Sequence, residues 1–309
     1  MNVASIKDRL KNIAKRTGRE FQDLLIAYGL ERTIYRISIS KYKERFVLKG
    51  GIFLYALSEG DYSRVTVDID LLAQHISNDI SSMNEIFSDI FSIECDDALR
   101  YDLDSLRVKA ITEFKEYHGV NVAINAYLDK TLIPIAIDIG FNDVIYPGKV
   151  EMDFPVLLNN EVPRIYAYSI YTAIAEKFEA FVSLGFANSR YKDFYDIYTL
   201  AKTYNLDGHI LRNAIVETFN HRKTTFNNIV AFNEDFINDP VNIQRWNSFN
   251  KKKKVSNIIT LNETIELIKK LFLPIVDAIN NGKDFDYKWI KEQTIWAKQF
   301  MSYQKNSIL

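Results

Sequence analysis

In the segment Arg64-Val-Thr-Val-Asp-Ile-Asp-Leu-Leu72, Asp68 and Asp70 alternate with Val67, Ile69 and Leu71. Apolar residues at every second position ask for a strand with one face in a core, because successive side chains point to opposite faces. The two carboxylates then share the other face, where they repel each other and where Asp is a poor strand former. A fold that keeps this run must supply a counter-charge beside it. A divalent cation suits two hard oxygen donors. A third aspartate, Asp138, interrupts the apolar run Pro134-Ile-Ala-Ile-Asp-Ile-Gly140 in the same way. If the two strands are neighbours, Asp138 joins Asp68 and Asp70, and the three are candidate ligands of Mg²⁺ or Mn²⁺. Two such ions, about 3.5–4 Å apart, would clamp the entering and leaving oxygens of an in-line phosphoryl displacement.

The rest of the chain sets few restrictions on that chemistry. It has 309 residues and a net charge of −1, so no global field draws it to nucleic acid or to an anionic membrane. Its one cysteine, Cys95, excludes an internal disulfide and fits a reducing compartment. Glu94, Asp96 and Asp97 surround that thiol and would raise its pKa, which argues against a nucleophile. No apolar run approaches the length of a membrane span, and the charged, amphipathic first residues do not read as a secretory signal. The expectation is a soluble, cytoplasmic protein without a membrane partner. His75, His118, His209 and His221 show no metal-ligand spacing.

Periodicity divides the chain into three regions. Residues 1–45 read as two helices separated at Gly18, packing on the core. Residues 46–150 read as a sheet domain. Its strand candidates are Phe46–Leu48, the Asp68/Asp70 run, Leu106–Phe114, Val120–Tyr127 and Ile133–Ile139, with short helices at Ile52–Leu57 and Ser81–Phe91. Residues 151–309 read as a helical domain that contributes Lys177, Asp193 and Asp196. Thr260-x-x-Glu263 there has the pattern of a capping box opening a late helix.

Three further constellations carry candidate chemistry. Gly50-Gly51 stands at a strand-to-helix junction, where bare backbone N–H groups and a helix terminus favour a phosphate; a tight turn is the plainer reading. Lys177 lies in the apolar arc of Ile170, Ile174, Phe178 and Phe181, with Glu176 and Glu179 expected on the wet side. Such a lysine either snorkels or reaches an internal anion, of which triphosphate is the one favoured here. In Ser189-Arg-Tyr-Lys-Asp-Phe-Tyr-Asp196, Asp193 falls on the apolar face of its helix, Asp196 at the edge of it and Arg190 near the same side. Complementing the helix dipole would account for Asp193. A salt bridge from either aspartate to Lys177 is a further alternative, compatible with a site.

Taken in order, Lys49-Gly-Gly51, Arg64-x-Thr-x-Asp-Ile-Asp70, Ile137-Asp-Ile-Gly140, Ile174-Ala-Glu-Lys-Phe-Glu-Ala180 and Ser189-Arg-Tyr-Lys-Asp-Phe-Tyr-Asp-Ile197 resemble the AbiEii/AbiGii toxin family. These are nucleotidyltransferase-like proteins of the polymerase-β superfamily. The resemblance runs from about residue 45 to 225. It implies an α+β fold: a polymerase-β-type mixed-sheet core with flanking helices and a mostly helical C-terminal domain. It also implies the toxin half of a toxin–antitoxin or abortive-infection system, with a cognate antitoxin from a neighbouring gene. The implied activity is Mg-dependent transfer of a nucleotide from GTP, CTP or UTP to an acceptor, the 3′ end of tRNA among the options. A non-catalytic NTP-binding module and a transferase acting on a protein hydroxyl are the alternatives. The family's positions carry over as Asp68 and Asp70 in the metal motif, Lys177 in the third motif, and Asp193 and Asp196 in the fourth. Gly50 and Gly51 match the first motif's turn, and Arg64 and Arg190 stand as nucleotide-binding candidates. Gly51 occupies a position where polymerase-β relatives often have serine, so no hydroxyl is offered there.

Overall fold

The structure is a computed structural model and describes residues 2–60, 66–111, 119–185, 190–226, 228–252 and 259–298. The chain divides into two compact units, residues 1–143 with 148–169, and residues 144–147 with 170–309.

The first unit opens with α1 (Val3–Thr17), which ends where Gly18 adopts the left-handed conformation, and α2 (Phe21–Ile39). Then follow β1 (Phe46–Lys49), α3 (Gly50–Leu57), β2 (Ile69–Ala73), α4 (Ile80–Phe91), β3 (Leu99–Ile111), β4 (Gly119–Leu128), β5 (Thr131–Phe141), β6 (Val150–Asp153) and β7 (Arg164–Ala167). They form one mixed sheet in the order β3-β4-β5-β2-β1-β7-β6. β2 runs parallel to β5, β1 runs parallel to β7, and the other neighbours are antiparallel. The strand expected at 106–114 begins earlier, at Leu99; residues 112–114 lie outside those described.

Strict alternation explains why one face of this sheet is core. Val120, Val122, Ile124, Ala126 and Leu128 of β4 are buried, as are Ile133, Ile135, Ile137 and Ile139 of β5. Burying each such Ile or Val contributes about 1.5–3 kcal/mol. Helix α2 covers β5 at close range. A Cβ on Gly29 would stand 2.7 Å from Ile133 Cγ2 and 2.9 Å from Ile135 Cδ1, so a larger residue there would force these side chains to shift. The same helix buries Arg32 and Arg36. Arg36 Nη2 donates to Asp97 Oδ1 at 3.1 Å and Arg32 Nε to Asp97 Oδ2 at 3.2 Å. Tyr28 Oη donates to the Asp97 carbonyl at 2.9 Å. A carboxylate with two guanidinium partners is one of the few forms in which charge can be buried.

The second unit contains α5 (Ile170–Leu184), α6 (Tyr191–Thr203), β8 (Leu206–Asp207), α7 (Gly208–His221), α8 (Glu234–Ile237), α9 (Pro240–Lys252), α10 (Leu261–Asn280), β9 (Tyr287–Ile290) and β10 (Ile295–Lys298). Its core is aromatic: Phe178 stacks on Phe272 with centroids 3.9 Å apart, and Phe181 lies 5.0 Å from Phe194. The capping box at α10 is formed. Thr260 Oγ1 accepts from the Glu263 N–H at 3.1 Å, and Glu263 Oε2 accepts from the Thr260 N–H at 3.0 Å. The region 207–309 is less uniformly helical than its pattern predicts, because β8, β9 and β10 form a small antiparallel sheet. Strands this short carry too few residues to display a two-residue period. Trp289 anchors them: it is buried and its Nε1 donates to the Ala201 carbonyl at 2.7 Å.

Burial drives the Glu31 carboxyl up to about 7, against the lowering effects of the Leu157 N–H and of Arg32. The folded chain therefore holds this proton more tightly than an unfolded one, whose Glu ionises near 4.5. The stability from this site is complete below pH 4.5 and is lost as the pH rises through about 7. Urea midpoints of the wild type and of Glu31→Gln, measured from pH 4 to 8, should diverge over that window, with the variant the flatter. Parallel curves would refute the assignment.

Candidate active site

The pairing register brings the acidic strand residues together. Asp70 of β2 lies opposite Asp138 of β5, Asp138 lies opposite Asn121 of β4, and Asp70 lies opposite Lys49 of β1. Directly opposed residues share a face, so Lys49, Asp70, Asp138 and Asn121 form one polar row on the side of the sheet away from the isoleucine core. All four are half-buried. Asp68 stands one residue before β2 begins, also half-buried. The two strands are neighbours, so the condition set for Asp138 is met. Arg64 lies outside the described residues.

Each carboxylate of the row has a support. Asn121 Nδ2 donates to Asp138 Oδ1 at 2.7 Å. The Gly51 N–H, in the first turn of α3, donates to Asp70 Oδ2 at 3.3 Å, where the helix dipole also favours negative charge. Gly50 makes this possible. Its φ of +64° is left-handed, and a Cβ there would fall 1.9 Å from Asp70 Oδ2. The space left by the missing side chain is thus occupied by Asp70. Lys49 Nζ is 2.9 Å from Asp143 Oδ2, just past the end of β5, and lies 5.1 Å from the centre of the Tyr168 ring. Sequence reading found the aspartates and glycines but gave no role to Lys49, Asn121 or Asp143. Asn121 could have been found as one of two amides, with Asn125, on the polar side of the β4 alternation.

A second cluster belongs to the second unit. Lys177 of α5 gives hydrogen bonds to Asp193 Oδ1 at 2.9 Å and to Asp196 Oδ2 at 2.7 Å, both on α6. Both aspartates are completely buried, Asp196 included, which the helical pattern had placed at the edge of the apolar face. Arg190 Nε lies 2.8 Å from Asp193 Oδ2, an ion pair without hydrogen-bond geometry. Burial pushes the Lys177 ammonium down, but Asp193 and Asp196 attract it strongly enough that the net shift is upward. Lys177 is therefore a charged internal tie between α5 and α6, and the salt-bridge alternative raised by the sequence is formed with both aspartates. Glu176 and Glu179 are not on a wet side. Arg222 gives Glu179 a bond of 2.8 Å and Glu176 one of 3.0 Å, and Glu179 is buried. A guanidinium on α7's C-terminal cap neutralises them, a partner that helical periodicity within α5 does not reveal.

Other candidates recede. The Cys95 thiol is pushed up, first by burial and less by Asp97, against the lowering effect of Arg36. Among the described residues no group of three His, Cys, Asp or Glu side chains converges as a ready-made metal cage. No helix among them is long and apolar enough to cross a membrane.

Residues 32–259, more than half of the chain, match the family described as nucleotidyl transferase AbiEii toxin, type IV TA system. The chain belongs to the AbiEii toxin family. The matched span includes the acid row of the first unit and the Lys177 cluster of the second. This AbiEii chain is thus a nucleotidyltransferase-family toxin of a toxin–antitoxin system, which implies an antitoxin partner. Two of the solved structures to which the chain is similar come from Helicobacter pylori. One is JHP933 from Helicobacter pylori, 16% identical over 84% of this chain and 94% of its own, with a TM-score of 0.48. The other is an H. pylori chain described as a candidate nucleotidyltransferase, 17% identical over 83% of this chain and 96% of its own, with a TM-score of 0.47. No curated protein matches the chain.

Two outcomes follow from this geometry. Gly50→Ala forces a side chain into a left-handed position, at about 1–2 kcal/mol, and displaces Asp70. Its circular dichroism should stay native while nucleotidyltransferase activity is lost; retained activity would show that Asp70 need not sit against the turn. Lys177→Met strands two buried carboxylates and should lower unfolding free energy by about 3–5 kcal/mol. Adding Asp193→Asn and Asp196→Asn should recover much of that loss in denaturant titrations.

Proposed function

We propose that this AbiEii protein transfers a nucleoside monophosphate from an NTP to an acceptor hydroxyl, with Mg²⁺ or Mn²⁺ held by Asp68, Asp70 and Asp138. The observation that carries the reading is the register pairing of Asp70 with Asp138 on the polar face of the sheet. Two carboxylates side by side are hard oxygen donors of the kind Mg²⁺ takes. Mg²⁺ is commonly bound by one or two carboxylates plus substrate phosphates rather than by an all-protein cage. The residues therefore fit a metal that arrives with the nucleotide. When bound, the metal would neutralise charge on the reacting phosphate and on the departing pyrophosphate.

The remaining roles belong to the chain's own groups. Asp70 is held against the Gly50-Gly51 turn, which fixes its orientation before substrate arrives. Asp138, oriented by Asn121, is the candidate base for the acceptor hydroxyl. Asp193 and Asp196 are poorer candidates for that role, because both are fully buried and bonded to Lys177. Lys177 with Asp193 and Asp196 is assigned to organising the second unit, and Arg190 and Arg64 to nucleotide binding. The donor nucleotide is GTP, CTP or UTP, and the 3′ end of tRNA is an acceptor hydroxyl of the kind required. A cytoplasmic location and an antitoxin from the neighbouring gene complete the proposal.

Purified protein incubated with each α-labelled NTP, Mg²⁺ and total bacterial RNA tests this directly. Labelled RNA should form, and Asp70→Asn should reduce it by about 100-fold or more with a melting temperature no lower than that of the wild type, because a like-charge pair is relieved. Label appearing only from the γ position, or a fully active Asp70→Asn enzyme, would remove the mechanism.

A further inference from the structure

We infer that Lys49 is a polyphosphate-binding residue of the acid row, positioned for that task by Asp143 and Tyr168. The inference deepens the proposed function and rests on it for the identity of the ligand. Lys49 is the last residue of β1, and its register partner is Asp70. Its ammonium does not point away into solvent. It extends to the segment after β5, where it meets Asp143 Oδ2 at 2.9 Å. The same Nζ lies 3.8 Å from the point where Gly140 would carry a Cβ. Gly140 is two residues beyond Asp138 on β5 and so faces the same side. The ammonium therefore lies on the acid-bearing side of the sheet, past β2 and beside the strand that carries Asp138.

Three features make this more than an ordinary surface ion pair. The side chains of Lys49 and Asp143 are only 17% and 13% exposed, so the pair is held and weakly screened. The Tyr168 ring, which follows β7, flanks the ammonium at 5.1 Å and favours a cation. The position also answers an electrostatic need. Asp68, Asp70 and Asp138 already carry negative charge, and an NTP brings several more charges to the same face. A lysine next in register to Asp70 offsets the part of that charge that a metal does not reach. Asp143 is then a positioning residue, which keeps the long lysine stem from sampling other rotamers. The family of ligands this chemistry takes is the polyphosphate: the tail of an NTP, inorganic tripolyphosphate or pyrophosphate.

Isothermal titration of the full chain with inorganic tripolyphosphate and with GTP, both with Mg²⁺, tests the inference without requiring turnover. Lys49→Met should weaken tripolyphosphate binding about tenfold or more, and Lys49→Arg should hold it within about threefold, because the charge-assisted contact is retained. Asp143→Asn, which keeps the lysine but loosens it, should fall between the two. In transfer assays Lys49→Met should raise KM for the NTP more than it lowers kcat. Unchanged tripolyphosphate affinity in Lys49→Met, or no binding by the wild type, overturns the inference. Should Lys49→Met fail to fold, Asp143→Asn decides, and wild-type affinity in that variant counts against the positioning role. Lys49-dependent binding without any nucleotidyl transfer would instead overturn the proposed function and leave this inference standing. Transfer with an unaltered KM in Lys49→Met would do the reverse.

Discussion

The architecture of the first unit turns on an unfavourable contact, the placing of Asp70 beside Asp138 on adjacent parallel strands. Like charges directly across a ladder destabilise a sheet. Four other features make sense as responses to that pair. Gly50 leaves room for Asp70, the start of α3 gives it an N–H, Asn121 binds Asp138, and Lys49 stands next in the row. Without the pair there would be little reason for a left-handed glycine at a strand-to-helix turn or for a lysine bent back across a polar sheet face. The isoleucine face beneath supplies the burial that holds these strands in register, so the unfavourable face is carried by the favourable one.

Both units also bury charge, and they do so in the same manner. Asp97 is held by Arg32 and Arg36 from α2, while Asp193 and Asp196 are held by Lys177 from α5. In each case the buried carboxylates meet long basic side chains from another element: Asp97, in the turn before β3, meets α2, and the α6 aspartates meet α5. Such networks add little net stability compared with apolar packing, but they are costly to break, because removing one partner leaves a buried charge uncompensated. For the Lys177 cluster this matters to any reading of function. A residue whose removal unfolds its surroundings will look essential in an activity assay whether or not it touches substrate.

How much was legible in the sequence depends on how local the signal was. Val120 to Leu128 and Ile133 to Ile139 announced their strands by alternation, and Thr260 with Glu263 announced the start of α10 by a hydrogen-bond pattern confined to one turn. The Asp68, Asp70 and Asp138 triplet was visible because each aspartate breaks an apolar run. Glu179 was misread because its partner, Arg222, lies on another element, and a buried glutamate and an exposed one look alike in a single helix. The strands β8 to β10 were missed because Trp289 is buried by residues distant in sequence, which no short window contains.

The order of residues alone determined which side chains could share a strand face and membership of the AbiEii family through motifs spread along the chain. It did so because strand alternation, helix capping and backbone sterics act over a few residues. Only the tertiary structure decided that Asp70 stands between Lys49 and Asp138, that the bareness of Gly50 serves a carboxylate, and that Lys177 ends on two aspartates. Those outcomes depend on strand register and on helices meeting across long stretches of chain. The free energy that selects them comes from contacts that exist only once the core has closed.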